Sequence, residues 1–376
     1  MRKIKVLLWY WGRRGGGPNY ALQMAKVLAE QPNIELHLSL SRQSEFYAQF
    51  AALNLPGFTL DTYSDRLTAL LALIKLPAVR NQLRHYLVEH HIQVVYCPMD
   101  HLWNAAMLPV IKAHTQYLFT LHDATPHPGD NGGIGRFRQW LFSQDIRAAD
   151  HIITLTKHVQ TQLQQVYRYP ASKSSVIPHG VFNYGSSSSR RTLPNREINL
   201  LFFGRILPYK GLSLLLAAFQ RLKDEFPQLR LTIAGAGSLS AYAAALTDPH
   251  IQVDNRHIPE ADIAEIFAQA DLLVAPYREA SQSGVVTIAM GAGVPVVATP
   301  VGGLKEQVIH QQTGLLTQAV SAEAIAEAIR QFILNPQLYE ACSRQALQQV
   351  HRTMAWSTIG AQVTSIIQAL ATQADQ

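Results

Sequence analysis

The sequence of 376 residues has few of the features that mark secreted or membrane proteins. It contains only two cysteines, Cys97 and Cys342, far apart in the chain. We expect both to be small buried side chains, not a disulfide or a metal pair. No apolar run reaches the ~18 residues that a membrane span requires, and the first residues predict a strand, not a signal peptide. A cytoplasmic protein is therefore expected.

Acidic residues are scarce in the first half. Residues 1–182 contain 18 Lys and Arg against 11 Asp and Glu, a net of +7, whereas 183–376 contain 14 against 15, a net of −1. No basic helix is interleaved with exposed aromatics and no nucleic-acid module is recognised, so no nucleic-acid partner is expected. The basic half favours a phosphate-bearing substrate or an anionic membrane surface, which leaves peripheral contact at the inner face of a membrane open.

Spacings typical of metal and dinucleotide sites are missing as well. No histidines at i, i+4 and no Cys-paired histidines predict a metal site. The turn Trp11–Gly17 follows a first strand but lacks the G-x-G-x-x-G spacing, and the next strand ends without a ribose-binding carboxylate. Gly16 and Gly17 would still let backbone amides approach an anion, although a plain tight turn is the alternative.

Both halves alternate strands, glycine-containing loops and helices. Two domains of roughly 180 residues are expected from the length, and residues 183–197 are polar and rich in small side chains, as in a linker. The pattern predicts an α/β fold of two facing, Rossmann-like, doubly wound domains, 1–182 and 198–355, with ligands bound where the strand ends meet.

In the second half, a loop carries two cations beside Gly204. Arg205 and Lys210 are five residues apart, a placement that suits a diphosphate, because Arg can bind in bidentate fashion and Lys acts as a point charge. Cations at a helix start oppose the helix dipole, so two merely solvated charges are the less favoured interpretation.

A polar loop between a buried strand and a helix, within 274–306, is the stretch around which the other motifs are placed. Its backbone amides would lie at a helix N-terminus, where a phosphate is favoured. The residues concerned are Ser281, Gln282, Ser283, Gly284 and Val285.

Other candidates follow predicted strands. His122 and Asp123 come directly after a strand, where an imidazole can donate to a sugar hydroxyl or a phosphate; a histidine satisfied by the backbone is the alternative. The glycine turn at Gly237 is a weak phosphate signal, and the loop with Arg256 and His257 could read a base edge.

A basic helical pattern covers residues 65–91 and should be broken or kinked at Pro77. Such a helix can lie on anionic lipid. An ordinary half-buried surface helix is the alternative, and it is the favoured interpretation.

Several of these motifs together resemble glycosyltransferase family 4, a group of retaining enzymes with the GT-B fold. The motifs are the first glycine loop, the His122-Asp123 loop, Ile177-Pro-His-Gly180, Gly204-Arg205 with Lys210-Gly211, Ala234-Gly-Ala-Gly237, and Pro295–Gly303 followed by Glu306. The resemblance implies transfer of a sugar from a nucleotide-diphosphate sugar with retained anomeric configuration, with no essential metal and no cofactor.

Carried over to this chain, the resemblance assigns roles to residues. Arg205 and Lys210 would hold the donor diphosphate and stabilise the leaving group. Gly16 and Gly17 would bring amides to the same phosphates from the opposite domain, and His122 would lie beside the transferred sugar. Domain 1–182 would face the acceptor and 198–355 would bind the nucleotide sugar, with 356–376 as a helix that returns to the first domain.

One position departs from the two-glutamate pattern of the family. The second glutamate, which holds the ribose, is replaced by Ile288, and the first would fall at Ala280. Glu279, one residue before Ala280, is the hypothetical replacement for the first glutamate and would take its sugar-facing role through a one-residue shift.

The expected function is a retaining glycosyltransferase that acts on a glycan or lipid-linked acceptor in cell-surface polysaccharide or glycolipid synthesis. A same-fold epimerase or phosphorylase is one alternative. A non-catalytic sugar-nucleotide-binding subunit, motivated by Ile288, is another.

Overall fold

The chain forms two compact units in the computed structural model, which describes residues 3–63, 73–125, 135–182, 184, 191–193 and 197–374. Unit 1 takes in the described residues up to Pro178 together with the chain from Trp356 onward, and unit 2 comprises His179–Ala355. The predicted linker 183–197 lies largely outside the described residues.

Unit 1 is an α/β structure. Its strands are β1 (Ile4–Tyr10), β2 (Ile34–Ser41), β3 (Gly57–Leu60), β4 (Val94–Cys97), β5 (Gln116–Leu121), β6 (His151–Thr154) and β7 (Ser174–Val176). Its helices are α1 (Gly16–Ala29), α2 (Tyr47–Ala51), α3 (Leu76–Glu89), α4 (Asn104–His114), α5 (Gly135–Ala148), α6 (Lys157–Tyr167) and α13 (Trp356–Ala374).

Unit 2 repeats the alternation. Its strands are β8 (Ile198–Phe203), β9 (Leu229–Ala234), β10 (Ile251–Asp254), β11 (Leu272–Ala275), β12 (Val296–Ala298) and β13 (Gly314–Leu316). Its helices are α7 (Leu212–Leu222), α8 (Glu260–Gln269), α9 (Gly284–Gly291), α10 (Leu304–Gln307), α11 (Ala322–Leu334) and α12 (Pro336–Thr353).

Both sheets are parallel and doubly wound. The strand order is β3-β2-β1-β4-β5-β6-β7 in unit 1 and β10-β9-β8-β11-β12-β13 in unit 2. The order reverses between β1 and β4 in the first sheet and between β8 and β11 in the second. Ligands of doubly wound sheets bind in the crevice outside the carboxyl ends of the strands at such a switch point. The two switch points are therefore where a site is sought.

The strands are nearly continuous apolar runs because helices cover both faces of each sheet. Val94–Cys97 and Leu272–Ala275 are buried along their full length. One apolar core of unit 1 includes Leu7, Val95 and Phe119, and that of unit 2 includes Phe202, Phe219 and Ile233. These cores hold the strand ends, and hence the loops after them, in fixed positions.

The last helix, α13, belongs to unit 1. α13 packs on α1 so closely that a Cβ on Gly360 would lie 2.9 Å from the Cβ of Val27. The ring centroids of Tyr20 and Trp356 are 5.4 Å apart. Glycine at 360 is what allows the two helices to approach.

One local prediction needs correction. Proline at 18 predicts a helix that starts there, but α1 begins at Gly16, so Gly16 and Gly17 form its first turn. The pattern over 65–91 is interrupted at Pro77, as predicted: α3 begins at Leu76 after a short 3₁₀ turn, Leu73–Lys75, with Pro77 in its first turn. Proline is tolerated in a first turn because the N–H it lacks has no partner there. Residues 65–72 of the predicted helix lie outside the described residues.

Within the described residues, every helix is too short or too polar to cross a membrane.

Candidate functional site

The loop after β8 contains glycines at positions where any other residue would be strained. Gly204 has a φ of 108° and Gly211 a φ of 71°, in the left-handed region that favours glycine. A Cβ on Gly211 would lie 1.9 Å from the carbonyl oxygen of Pro276, and one on Gly235 would lie 2.0 Å from that of Gly204. The loops after β8, β9 and β11 thus touch backbone to backbone.

This contact brings Lys210 beside the loop that follows β11, and Arg205 lies on the loop after β8. The Arg278 amide donates to the carbonyl oxygen of Tyr209 at 2.7 Å. Lys210 Nζ lies 3.8 Å from the ring centroid of Tyr277, a cation–π contact. Lys210 is half-buried and Arg205 is exposed. The switch point of unit 2 therefore presents two positive groups at its carboxyl edge.

The start of α9 is held by a glutamine that the sequence did not single out. Gln307 Oε1 accepts from the Ser283 amide at 2.7 Å, and Gln307 Nε2 donates to the Ser283 carbonyl oxygen at 3.2 Å. Ser283 Oγ in turn caps the helix by accepting from the Val286 amide at 3.4 Å. The expectation that the Ser283 amide would be available to an anion is wrong, because that amide already donates to Gln307.

The residues around Ser283 leave one acceptor unsatisfied. Gln282 Oε1 is buried and has no hydrogen-bond partner among the described residues. Ser281 is buried, and Gly284 and Val285 are half-buried. A Cβ on Gly284 would lie 3.8 Å from His179 Nε2. A hydroxyl group at this loop could donate to Gln282.

Gly237 and its neighbours are bound within the protein. The Gly237 amide donates to Asn255 Oδ1 at 3.1 Å. Arg256 forms ion pairs with Asp254 and Asp262 at 2.9 and 2.7 Å. His257 is exposed. The guanidinium of Arg256, predicted to bind substrate, is thus already paired with two carboxylates.

Glu279 and Ile288 lie on the same segment with different exposure. Glu279 is half-buried in the loop after β11, and Ile288 is 8% exposed on α9. The aliphatic side chain of Ile288 has no polar atom to offer a ribose.

In unit 1, the glycine turn is tied at its start. The Gly15 amide donates to Glu45 Oε1 at 2.8 Å. A Cβ on Gly17 would lie 2.4 Å from Met99 Sδ and 2.8 Å from the Tyr10 hydroxyl, whereas Gly16 has open space around it. A side chain at position 17 would displace the ends of the Met99 and Tyr10 side chains, whereas Gly16 leaves its side of the first turn of α1 accessible.

His122 is buried at the end of β5 and is bound to the backbone. Its Nε2 lies 2.9 Å from the carbonyl oxygen of Pro98; since a carbonyl only accepts, Nε2 carries the proton. Burial lowers the pKa of His122, opposed by that hydrogen bond and by the charge of Asp123. The imidazole is therefore neutral at pH 7, with Tyr20 edge-on at 4.9 Å between ring centroids.

A second histidine, which the sequence did not single out as a site residue, lies at the switch point of unit 1. His101 Nδ1 accepts from the Trp103 amide at 3.2 Å, so Nε2 is protonated; that atom is buried and has no hydrogen-bond partner among the described residues. Burial, with the charge of Arg13, lowers the pKa of His101 to about 3. The rings of Trp11 and Tyr63 are 6.2 and 5.7 Å away.

Three residues of these edges, Gln307, Tyr277 and His101, escape prediction from the sequence. Gln307 directly follows Glu306 of the family motif, but only the neighbouring loop reveals its role. Tyr277 belongs to the 274–306 stretch, but its ring contact with Lys210 requires the fold. Among the described residues, no three His, Cys, Asp or Glu side chains are placed to hold a metal ion.

Models of two protein families match successive parts of the chain. "Glycosyltransferase Family 4" matches residues 14–182, and "Glycosyl transferases group 1" matches residues 186–349. Together they cover both units.

Curated relatives match over part of their length. The chain is 27% identical to a glycogen synthase of Mycobacterium tuberculosis over 64% of this chain and 60% of that protein. It is 30% identical to a D-inositol 3-phosphate glycosyltransferase of Segniliparus rotundus over 56% of this chain and 50% of that protein. The aligned region thus spans about half to three fifths of these relatives.

Solved structures share the whole fold. The Anabaena protein HepE, in complex with UDP and glucose, has a TM-score of 0.71 and 19% identity, covering 97% of this chain and 100% of that chain. A glycosyltransferase from Rickettsia africae has a TM-score of 0.74 and 16% identity, covering 98% and 99%. With both family models and the fold in agreement, the chain belongs to glycosyltransferase family 4, with the GT-B fold class.

Proposed function

We propose that the protein is a retaining glycosyltransferase that moves a sugar from a nucleotide-diphosphate sugar to a glycan or lipid-linked acceptor. Cell-surface polysaccharide or glycolipid synthesis is the proposed setting, with peripheral membrane association through the basic first domain. The observation that carries the proposal is the switch point of unit 2, where Arg205 and Lys210 stand beside the tied loops after β8 and β11.

The proposed chemistry begins with the leaving group. When the bond between the sugar and the diphosphate breaks, negative charge develops on the phosphate oxygens, and fixed cations stabilise that charge most where little water competes. Lys210 is suited to this role because Tyr277 and the Pro276–Gly211 contact hold its loop in place. Arg205, being exposed, is free to move onto a bound diphosphate.

Two polar groups are proposed to orient the sugar. Gln282 Oε1 can accept a hydrogen bond from a sugar hydroxyl, which would satisfy an otherwise unpaired buried atom. Glu279 is the proposed sugar-facing carboxylate. His122, neutral and with its Nε2 proton committed to Pro98, is proposed to lie beside the transferred sugar. No metal or cofactor is proposed.

Relatives support the substrate classes without specifying them. HepE is described with UDP and glucose, and the Segniliparus relative is named for a phosphorylated inositol. A phosphate-bearing acceptor agrees with the net charge of +7 in residues 1–182.

The first experiment is a thermal-shift screen against UDP, GDP, ADP and their sugars. A ligand that binds the native state stabilises it by mass action and so raises the melting temperature. At 100 times its Kd, the gain in the free energy of unfolding is about 2.7 kcal/mol. The nucleotide that binds is then used to follow sugar transfer, with the anomeric configuration of the product read by NMR.

Inversion at the anomeric carbon would contradict the retaining mechanism. Epimerisation or phosphorolysis of the donor in place of transfer would favour the same-fold alternatives. Binding without turnover would favour the non-catalytic subunit, which is considered because Ile288 replaces the ribose-binding glutamate of the family. Glu279→Ala with retained folding and unchanged turnover would remove Glu279 from the proposed site.

A further inference from the structure

Large apolar side chains are exposed along one edge of unit 1. Leu73, Ile74, Leu102 and Trp140 are 46%, 81%, 43% and 54% exposed. We call these four residues the carboxyl-edge patch. The other exposed large apolar side chains described in unit 1 are Val88 and Val166. They occur singly, near the C-terminal ends of α3 and α6. Single exposed residues are ordinary, whereas a group needs an explanation.

The topology places the four residues at the starts of neighbouring helices. Leu73 and Ile74 immediately precede α3, Leu102 precedes α4, and Trp140 is in the second turn of α5. These helices follow β3, β4 and β5, so all three begin at the carboxyl edge of the sheet. α3 packs against α4 and α4 against α5. With packed helices about 8–10 Å apart, the three starts form a row about 20 Å long.

The electrostatics of the row favour negative charge. A helix start carries a partial positive charge, and by sequence no acidic residue occupies the first turn of α3, α4 or α5. Lys75, exposed, is the N-cap of α3. Asp61, directly after β3, is paired with Arg42 at 2.9 Å, and Asp100, two residues before Leu102, is half-buried. An exposed apolar row with cationic helix ends matches the interface of an anionic bilayer, where apolar groups enter and phosphates stay outside.

We propose that the carboxyl-edge patch inserts into the surface of an anionic lipid bilayer. This deepens the peripheral association proposed above and rests on it. It also gives that association a direction: ligands bind at the carboxyl ends of parallel strands, so a lipid-linked acceptor would reach the switch point of unit 1 from the membrane side.

Vesicle flotation tests the proposal without a substrate. The full chain is mixed with vesicles of phosphatidylcholine alone or with 30% phosphatidylglycerol at low ionic strength. Binding is expected to the anionic vesicles and to weaken with salt, since exposed charges are screened. Ile74→Asp is expected to reduce partitioning about tenfold or more, and Lys75→Gln about fivefold.

Leu334→Asp is the matched control, because Leu334 is 65% exposed at the end of α11 in unit 2. It should leave partitioning unchanged. Thermal melting of each variant in buffer checks that folding is retained.

Tryptophan fluorescence gives an independent readout. Of the five tryptophans, Trp9, Trp11 and Trp103 are buried, Trp356 is half-buried and Trp140 is exposed. Anionic vesicles should shift the emission to the blue and protect it from acrylamide, and Trp140→Phe should remove most of that change.

Three results would overturn the proposal: no binding of the wild-type chain to anionic vesicles, an equal loss in Leu334→Asp, or a dimer dissociated by Ile74→Asp, which would assign the patch to a second copy. Sugar transfer to a water-soluble acceptor is measured on the same preparations. Transfer without vesicle binding would sink the membrane inference alone, and vesicle binding without transfer would sink the proposed reaction alone.

Discussion

The carboxyl edges of the two sheets share one topology and differ in chemistry. In unit 2, glycines with left-handed backbone let three loops touch, and the edge displays Arg205 and Lys210. In unit 1, the same position holds aromatic rings and two histidines that burial makes less basic, His101 and His122. The first kind of edge presents fixed charge to a ligand, whereas the buried rings and histidines of the second present aromatic and uncharged polar groups. Equal folds therefore do not make equal sites.

The backbone contact of unit 2 is the feature whose loss should cost most. Gly211→Ala would strain a φ of 71° and place a Cβ 1.9 Å from the Pro276 carbonyl oxygen. We expect a loss of about 4 kcal/mol or more in the free energy of unfolding, measured by urea denaturation.

Gly15→Ala in unit 1 is the matched control. Gly15 also has a positive φ, 90°, but nothing lies within 4 Å of the position that a Cβ would take. A cost of about 1–3 kcal/mol is expected from the backbone alone, because φ 90° with ψ −160° is a region that essentially only glycine occupies. Equal losses in the two variants would contradict the role of the loop contact.

The cations of unit 2 should matter for turnover and little for folding. Lys210→Ala and Arg205→Ala are each expected to lower kcat by about 10²–10³, because each removes a cation that stabilises the leaving group. The melting temperature should change little, with a small loss in Lys210→Ala from its contact with Tyr277. Arg344→Ala, an exposed cation of α12, is the control. Full activity in Lys210→Ala would remove the electrostatic contrast between the edges.

The core of unit 1 contains a carboxyl group that should make its stability depend on pH. Asp145 Oδ1 accepts from the Tyr117 hydroxyl at 2.6 Å and from Asn104 Nδ2 at 2.9 Å, and burial raises the pKa of Asp145 to about 7. The unfolded carboxyl ionises near its usual pKa of about 3.9. Stability is therefore expected to fall as pH rises from about 4 to 7 and then to level off.

Asp145→Asn keeps an oxygen for both donors and has no charge to bury. Between pH 4 and pH 8 the wild type should lose about 2–4 kcal/mol of its free energy of unfolding through Asp145, and the variant should not lose it. Parallel pH profiles of the two proteins, measured by urea denaturation, would show that Asp145 does not titrate as proposed.

The helix start in unit 2 should respond more modestly. Gln307→Ala leaves the buried amide and carbonyl of Ser283 without their partner, at a cost of about 1–3 kcal/mol. Donor affinity, read by thermal shift, should fall as well. Gln312→Ala, exposed and nearby, should have neither effect.

Prediction from sequence succeeded where local pattern decides structure. Buried apolar runs such as Leu272–Ala275 marked strands, and polar residues after them marked the carboxyl edge. Helix starts were less accurate, as at Gly16, because glycine itself gives no local signal of a helix. Gln307 escaped because its contact with Ser283 joins residues 24 positions apart.

The sequence by itself determined the alternation of strands and helices, the parallel sheets and the motifs of the family, since each depends on periodicity and spacing within a short stretch. The tertiary structure alone decided which groups remain available. It paired Arg256 with two carboxylates, engaged the Ser283 amide and set Lys210 over Tyr277. The physical reason is that hydrogen bonds, burial and charge pairing depend on distances between residues remote in the chain.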